Sequence, residues 1–167
     1  CDRRQRQMCI RDSSSSGKTS SSLRIAQQCR VLGLTPKVIE LDNYFVDREK
    51  TPRTESGEYD FEALGAMDIA FLGEQLEALL RGEEIDLPRF DFVNGTRKFD
   101  GRKMKLVKGD ILFMEGIHAL DPALTPTIDT AKFFKIYISA LSALSGGQEV
   151  HNSTTDKRLL RRIVRDN

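Results

Sequence analysis

The stretch "DILFMEG", Asp110–Gly116, constrains the fold more than any other part of the chain. Four consecutive apolar residues offer no polar face to water, so a strand built from them has to be covered on both sides. Two further runs, "KVIEL" (37–41) and "KFFKIYIS" (132–139), read the same way. Helical stretches stand between them. "TSSSLRIAQQCRVLGL" (19–34) carries apolar residues at helical spacing and stops near Gly33 and Pro36. "FEALGAMDIAFLGEQLEALLRG" (61–82) reads as one or two helices stopped by Gly82. Apolar strands alternating with helices predict an α/β fold with a mostly parallel sheet. Ligands in such sheets lie beyond the carboxyl ends of the strands. Asp42 and Glu115 both stand at such ends.

The remaining segments are more polar. Residues 46–60, "VDREKTPRTESGEYD", are turn-rich and predict a mobile loop. "EEIDLPRFDFVNGTRKFDG" (83–101) predicts short strands or a hairpin. "TTDKRLLRRIVRD" (154–166) predicts a basic helix capped by Thr154 or Thr155. The charges nearly cancel, with 26 basic and 25 acidic residues, which argues against a nucleic-acid partner. The three cysteines show neither metal spacing nor a disulfide framework, which suits a reducing, cytoplasmic setting. No apolar run approaches the roughly 20 residues of a membrane span, and no signal-peptide core follows the basic N-terminus.

"SSSSGKTS" (13–20) matches the second half of the phosphate-loop pattern G-x-x-x-x-G-K-[ST]. Gly17 would let backbone amides turn toward phosphate oxygens. Lys18 would reach the β- and γ-phosphates, and Thr19 would hold Mg²⁺ through its hydroxyl. The first glycine position holds Asp12. The preceding "CDRRQRQMCIRD" looks too polar for the middle of a parallel sheet. "QRQMCIRD" reads like translated adapter sequence, so residues 1–13 are expected to be a non-native or disordered leader. A Ser-rich helix cap followed by lysine is the plainer alternative for this stretch.

"SSSSGKTS", "LDNYF", "YDFEALGAMD", "PRFDFVNGTRK", "ILFMEGIHAL" and "TTDKRLLRRIVRD" stand in the order found in uridine kinases and the related phosphoribulokinases. The chain resembles this family from about Ser14 to Asp166. The resemblance implies a P-loop NTPase-type three-layer α/β/α sandwich with a mobile lid, here a partial kinase domain over 14–167, incomplete at both termini. It implies transfer of the γ-phosphoryl of ATP, with Mg²⁺, to the 5′-hydroxyl of a nucleoside. By position, Ser14, Ser15, Ser16, Gly17, Lys18, Thr19 and Ser20 would form the ATP loop. Asp42 matches the catalytic acid, and Glu115 would act on Mg²⁺ or its waters. Tyr44, Glu62 and Phe90 would line the acceptor site, with Glu62 on ribose hydroxyls. Arg158 and Arg161 match the lid arginines on the triphosphate; Arg162 and Arg165 are weaker matches. Each has an ordinary alternative: a loop cap for Asp42, packing for Tyr44, a helix-start carboxylate for Glu62 and a solvated basic face for the arginines.

Two positions depart from the family. The resemblance implies a tyrosine and a histidine reading the pyrimidine where this chain has Phe90 and Gly95. Uridine specificity is weakened, because neither residue hydrogen-bonds a base edge. Arg89 and Arg97 could instead contact an anionic acceptor. His118 reads as structural. The alternatives to a nucleoside kinase are a nucleotide-binding or regulatory module without turnover, and a kinase of a phosphorylated sugar. Weak activity is expected of the 167-residue chain by itself; whether it forms a homo-oligomer is left open.

Overall fold

A computed structural model of the chain describes residues 6–11, 18–124 and 133–138. In chain order the elements are β1 (Arg6–Arg11), α1 (Lys18–Val31), β2 (Thr35–Glu40), α2 (Ile69–Leu80), β3 (Glu84–Asp91), β4 (Thr96–Lys105), β5 (Asp110–Glu115) and β6 (Phe133–Tyr137). Short 3₁₀ turns punctuate the connections.

Strands β2, β5, β1 and β6 form a parallel sheet in that order. Every residue of β5 is buried, as its apolar run requires. The alternation of its side chains explains why both faces need covering. Ile111 and Phe113 pack with Ala26 and Cys29 of α1. Leu112 and Met114 pack with Leu72, Leu76 and Leu79 of α2. The result is three layers: helix, sheet, helix.

Strand β1 corrects an expectation. "RQMCIR" looks too polar for the middle of a sheet, yet it lies between β5 and β6, with Met8 opposite Phe113 on one side and Phe134 on the other. Ladder hydrogen bonds come from the main chain, so polar residues do not prevent a strand from pairing on both edges.

Helix α1 ends at Gly33, whose φ of 75° supplies the left-handed turn, and the Leu34 N–H returns to the Cys29 carbonyl at 2.9 Å. Helix α2 is shorter than the 61–82 stretch suggested. Asp68 caps it, its Oδ1 accepting the Phe71 N–H at 3.1 Å. Residues 61–68 form a turn and a 3₁₀ segment instead.

Residues 46–60, expected to be a mobile loop, carry local structure. Its ends are pinned by a bridge between Phe45 and Met67 and by the Val46 N–H to the Ala66 carbonyl. A second bridge joins Arg53 to Tyr59, and Thr51 is buried. The predicted hairpin is present as the antiparallel pair β3–β4, with an irregularity at Asp86/Pro88 where proline offers no N–H. The basic stretch 154–166, with Arg158, Arg161, Arg162 and Arg165, lies outside the described residues. Among the described residues, no helix is long and apolar enough to cross a membrane.

Candidate functional site

The sheet register sets the carboxyl ends of three strands level. Glu115, the last residue of β5, is opposite Ile10 on one side and Glu40 on the other. Helix α1 begins at Lys18 on the segment leaving β1. Asp42 lies in the 3₁₀ turn Leu41–Tyr44 that follows β2 directly. The start of α1, Asp42 and Glu115 therefore each lie at or after the carboxyl end of one of three neighbouring strands. Lys18, Thr19 and Ser20 occupy the first turn of α1, the positive end of its dipole, and that turn holds no acidic residue. Ser14, Ser15, Ser16 and Gly17 lie outside the described residues.

A close contact fixes the two acidic segments against each other. A Cβ on Gly116 would stand 2.7 Å from Leu41 Cβ. The backbone leaving Glu115 thus packs directly onto the residue before Asp42. Asp42 is exposed, and Glu115 is only 7% exposed. Glu115 offers a carboxylate at the end of a buried strand, and a hard cation such as Mg²⁺ takes one or two such protein oxygens and completes its shell with phosphate and water. Among the described residues no group of three or more His, Cys, Asp or Glu side chains that could hold a metal ion occurs.

Two expected acceptor residues are buried. Tyr44 is 1% exposed; its hydroxyl donates to Gln75 Oε1 at 2.8 Å, and Gln75 Nε2 donates to the Asp86 carbonyl. Burial pushes the Tyr44 phenol well above its ordinary pKa, opposed by the nearby Arg97 charge. Tyr44 ties the 3₁₀ turn to α2 and β3, the packing role that stands beside its acceptor-site reading. Phe90 is 4% exposed, with its ring edge-on to Phe45 and Phe92 at centroid distances of 5.7 and 5.1 Å. The aromatic cluster occupies the ring that was expected to meet a base. Glu62 is exposed on a turn ordered by Asp60, whose Oδ1 accepts the N–H groups of Glu62 and Ala63. It does not start a helix.

Arg97, one of two arginines that could contact an anionic acceptor, is engaged within the fold. Its Nη2 donates to Asp68 Oδ2 at 2.9 Å and to the Phe45 carbonyl at 3.0 Å. The guanidinium lies 4.6 Å from the Phe71 ring centroid, and the backbone N–H reaches Asp47 Oδ1. Arg97 clasps the β3–β4 hairpin to the segment beside Asp42. His118 is buried, as a structural histidine would be.

Sequence reasoning missed Asn43. Its Oδ1 accepts the Phe90 N–H at 3.0 Å, so the neighbour of Asp42 docks the hairpin directly. The partners stand 47 residues apart, and no local pattern announces such a bond.

A parallel sheet with helices on both faces, a helix that follows its first strand and carboxylates at strand ends fit the class of P-loop kinase folds. The family model described as phosphoribulokinase / uridine kinase matches residues 8–166. The chain belongs to that family. A uridine kinase from Halobacterium salinarum is 29% identical over 150 residues, covering 90% of this chain and 57% of its own length. The structure of a possible uridine kinase from Bacillus stearothermophilus superposes with a TM-score of 0.63 at 26% identity, covering 80% of this chain and 70% of that one. A protein described as a fructose transport system kinase from Silicibacter sp. TM1040 shares the fold, with a TM-score of 0.66 at 18% identity over 99% of this chain and 76% of its own. The chain spans about 60% of the length of the curated relatives it matches.

Proposed function

We propose that the protein is an ATP-dependent kinase of a small hydroxylated acceptor, of the uridine kinase type. The reading rests above all on the contact between Gly116 and Leu41, which sets the Glu115 and Asp42 segments side by side beyond the sheet.

In this reading the γ-phosphoryl leaves the β-phosphate oxygen of ATP and bonds to the acceptor hydroxyl oxygen, giving ADP and a phosphate ester. Asp42 orients the hydroxyl and accepts its proton. The backbone from Ser14 to Gly17, with Lys18, Ser20 and the N-terminal turn of α1, holds the phosphates. Thr19 and Glu115 would hold Mg²⁺, which supplies charge neutralisation on the phosphates when bound. Arg158 and Arg161 would meet charge that spreads onto the transferring group. Most of the rate would come from positioning and charge. A small-molecule acceptor, rather than nucleic acid, suits the net charge of +1. Cys29, buried and unpaired, suits a reducing, cytoplasmic setting.

The test is transfer of label from γ-labelled ATP across nucleosides, sugars and sugar phosphates. Asp42→Asn should lower kcat by about 10²- to 10⁴-fold with the KM for ATP unchanged. Turnover at the unaltered rate in that variant would remove Asp42 from the chemistry. ATP binding without transfer to any acceptor would instead favour a nucleotide-binding module. A phosphorylated-sugar acceptor is the second reading, favoured by the burial of Phe90 and by glycine at position 95.

A further inference from the structure

Helix α2 packs on the sheet through an apolar stripe, and one polar side chain interrupts it. Leu72, Leu76 and Leu79 are buried, and Gln75 is buried beside them. A buried amide is costly unless its donor and its acceptor are both used. Both are used here. Gln75 Oε1 accepts from the Tyr44 hydroxyl at 2.8 Å, and Nε2 donates to the Asp86 carbonyl at 2.8 Å. A leucine facing a phenylalanine would continue the stripe without polar groups to satisfy, so packing alone does not call for this pair.

Tyr44 ends the four-residue turn Leu41–Tyr44 that carries Asp42. Asp86 stands where the β3–β4 pairing jumps, from Asp86 opposite Lys103 to Pro88 opposite Phe99. Gln75 therefore joins the Asp42 turn to the irregular point of the hairpin through the core. The rest of the turn is anchored as well. Leu41 packs against Gly116, and Asn43 Oδ1 accepts the Phe90 N–H from the same strand as Asp86. Within this turn Asp42 alone is exposed. Its neighbours are tied down, and its own position follows from theirs.

We infer that Gln75 is a positioning residue: its amide, bonded to Tyr44 and to Asp86, sets where the turn presents Asp42 relative to the hairpin. This rests on Asp42 acting on the acceptor hydroxyl, as proposed above. Gln75 acts through Tyr44, at a distance from the reacting atoms. Buried polar bonds of this kind fix one geometry where apolar packing would allow several.

Two variants test the inference in the full chain. Gln75→Met keeps the length of the side chain and loses both bonds. Tyr44→Phe loses one of them, and it carries the test if the methionine variant does not fold. Hydrogen–deuterium exchange reads the anchor without turnover. Exchange over residues 41–46 should rise about tenfold or more in either variant, and over 84–90 in Gln75→Met, while residues 110–115 stay unchanged. No rise, or an equal rise in all three segments, would overturn the inference. Label transfer from γ-labelled ATP, at a temperature where the variants are fully folded, should show kcat lowered about tenfold to a hundredfold with the KM for ATP unchanged. A folded variant with a loosened turn and an unaltered kcat would also overturn it, and would leave the kinase reading in place. A loosened turn in a chain that transfers label to no acceptor even when unaltered would sink the kinase reading and leave Gln75 as the anchor of the turn.

Discussion

Asp91 orders the hairpin turn through four bonds of its carboxylate. Oδ1 accepts the N–H groups of Val93 and Asn94, and Oδ2 accepts from Asn94 Nδ2 and Lys98 Nζ, each at 2.6 Å. The Lys98 bond, followed by those from Asn94, holds the Asp91 carboxyl far below the usual carboxylate range. A depressed folded-state pKa contributes stability above the unfolded pKa, about 4, and that contribution is lost as pH falls through the window below it. Asp91→Asn should therefore lower the urea midpoint at pH 7, and the gap from the unaltered protein should shrink as the pH is taken below about 4. An equal gap at both pH values would show that the turn does not depend on this charge. The motif "DFVNG" announces such a turn, because Asp, Asn and Gly each suit one of its positions. Arg97 is different. Nothing near it in sequence indicates that Asp68, Phe45 and Phe71 will surround it.

Between elements, Arg97 does the joining. It touches β4, the end of the 3₁₀ turn after β2, and both the cap and the first turn of α2. Its side chain is only 17% exposed, so screening by water is limited. Arg97→Ala should destabilise the fold by about 2–4 kcal/mol, because it leaves the Asp68 carboxylate and the Phe45 carbonyl short of a donor. A double-mutant cycle with Asp68→Ala should give a coupling of about 1–2 kcal/mol; additivity would show that the pair contributes nothing jointly. The elements themselves were largely readable. The runs at 37–41 and 110–116 become β2 and β5, and the 83–101 stretch becomes the hairpin. The misreadings have physical causes. Polar β1 pairs through its main chain, which its side chains do not reveal. Helix α2 starts late because Asp68 caps it, and a good cap outweighs the helical spacing upstream. The 46–60 loop is held by contacts whose other halves lie at Ala66 and Gly95.

Across the whole molecule, the junction at Gly116 joins the sheet to its proposed chemistry. Gly116→Ala would press a methyl group against Leu41 and shift the turn carrying Asp42. In the proposed kinase it should lower kcat by about tenfold or more while ATP affinity holds, since small misplacements of a catalytic group are costly. Unchanged turnover would show that the two segments need not be so close. The order of apolar runs, glycines and carboxylates determined the α/β layering and marked Asp42 and Glu115, because burial on both faces and strand ends are local properties written into neighbouring residues. The tertiary structure alone decided that β1 sits in the sheet's middle, that Tyr44 and Phe90 are buried, and that Gln75 bridges Tyr44 and Asp86. Those outcomes depend on groups distant in the chain competing for the same space, and only the folded packing resolves that competition.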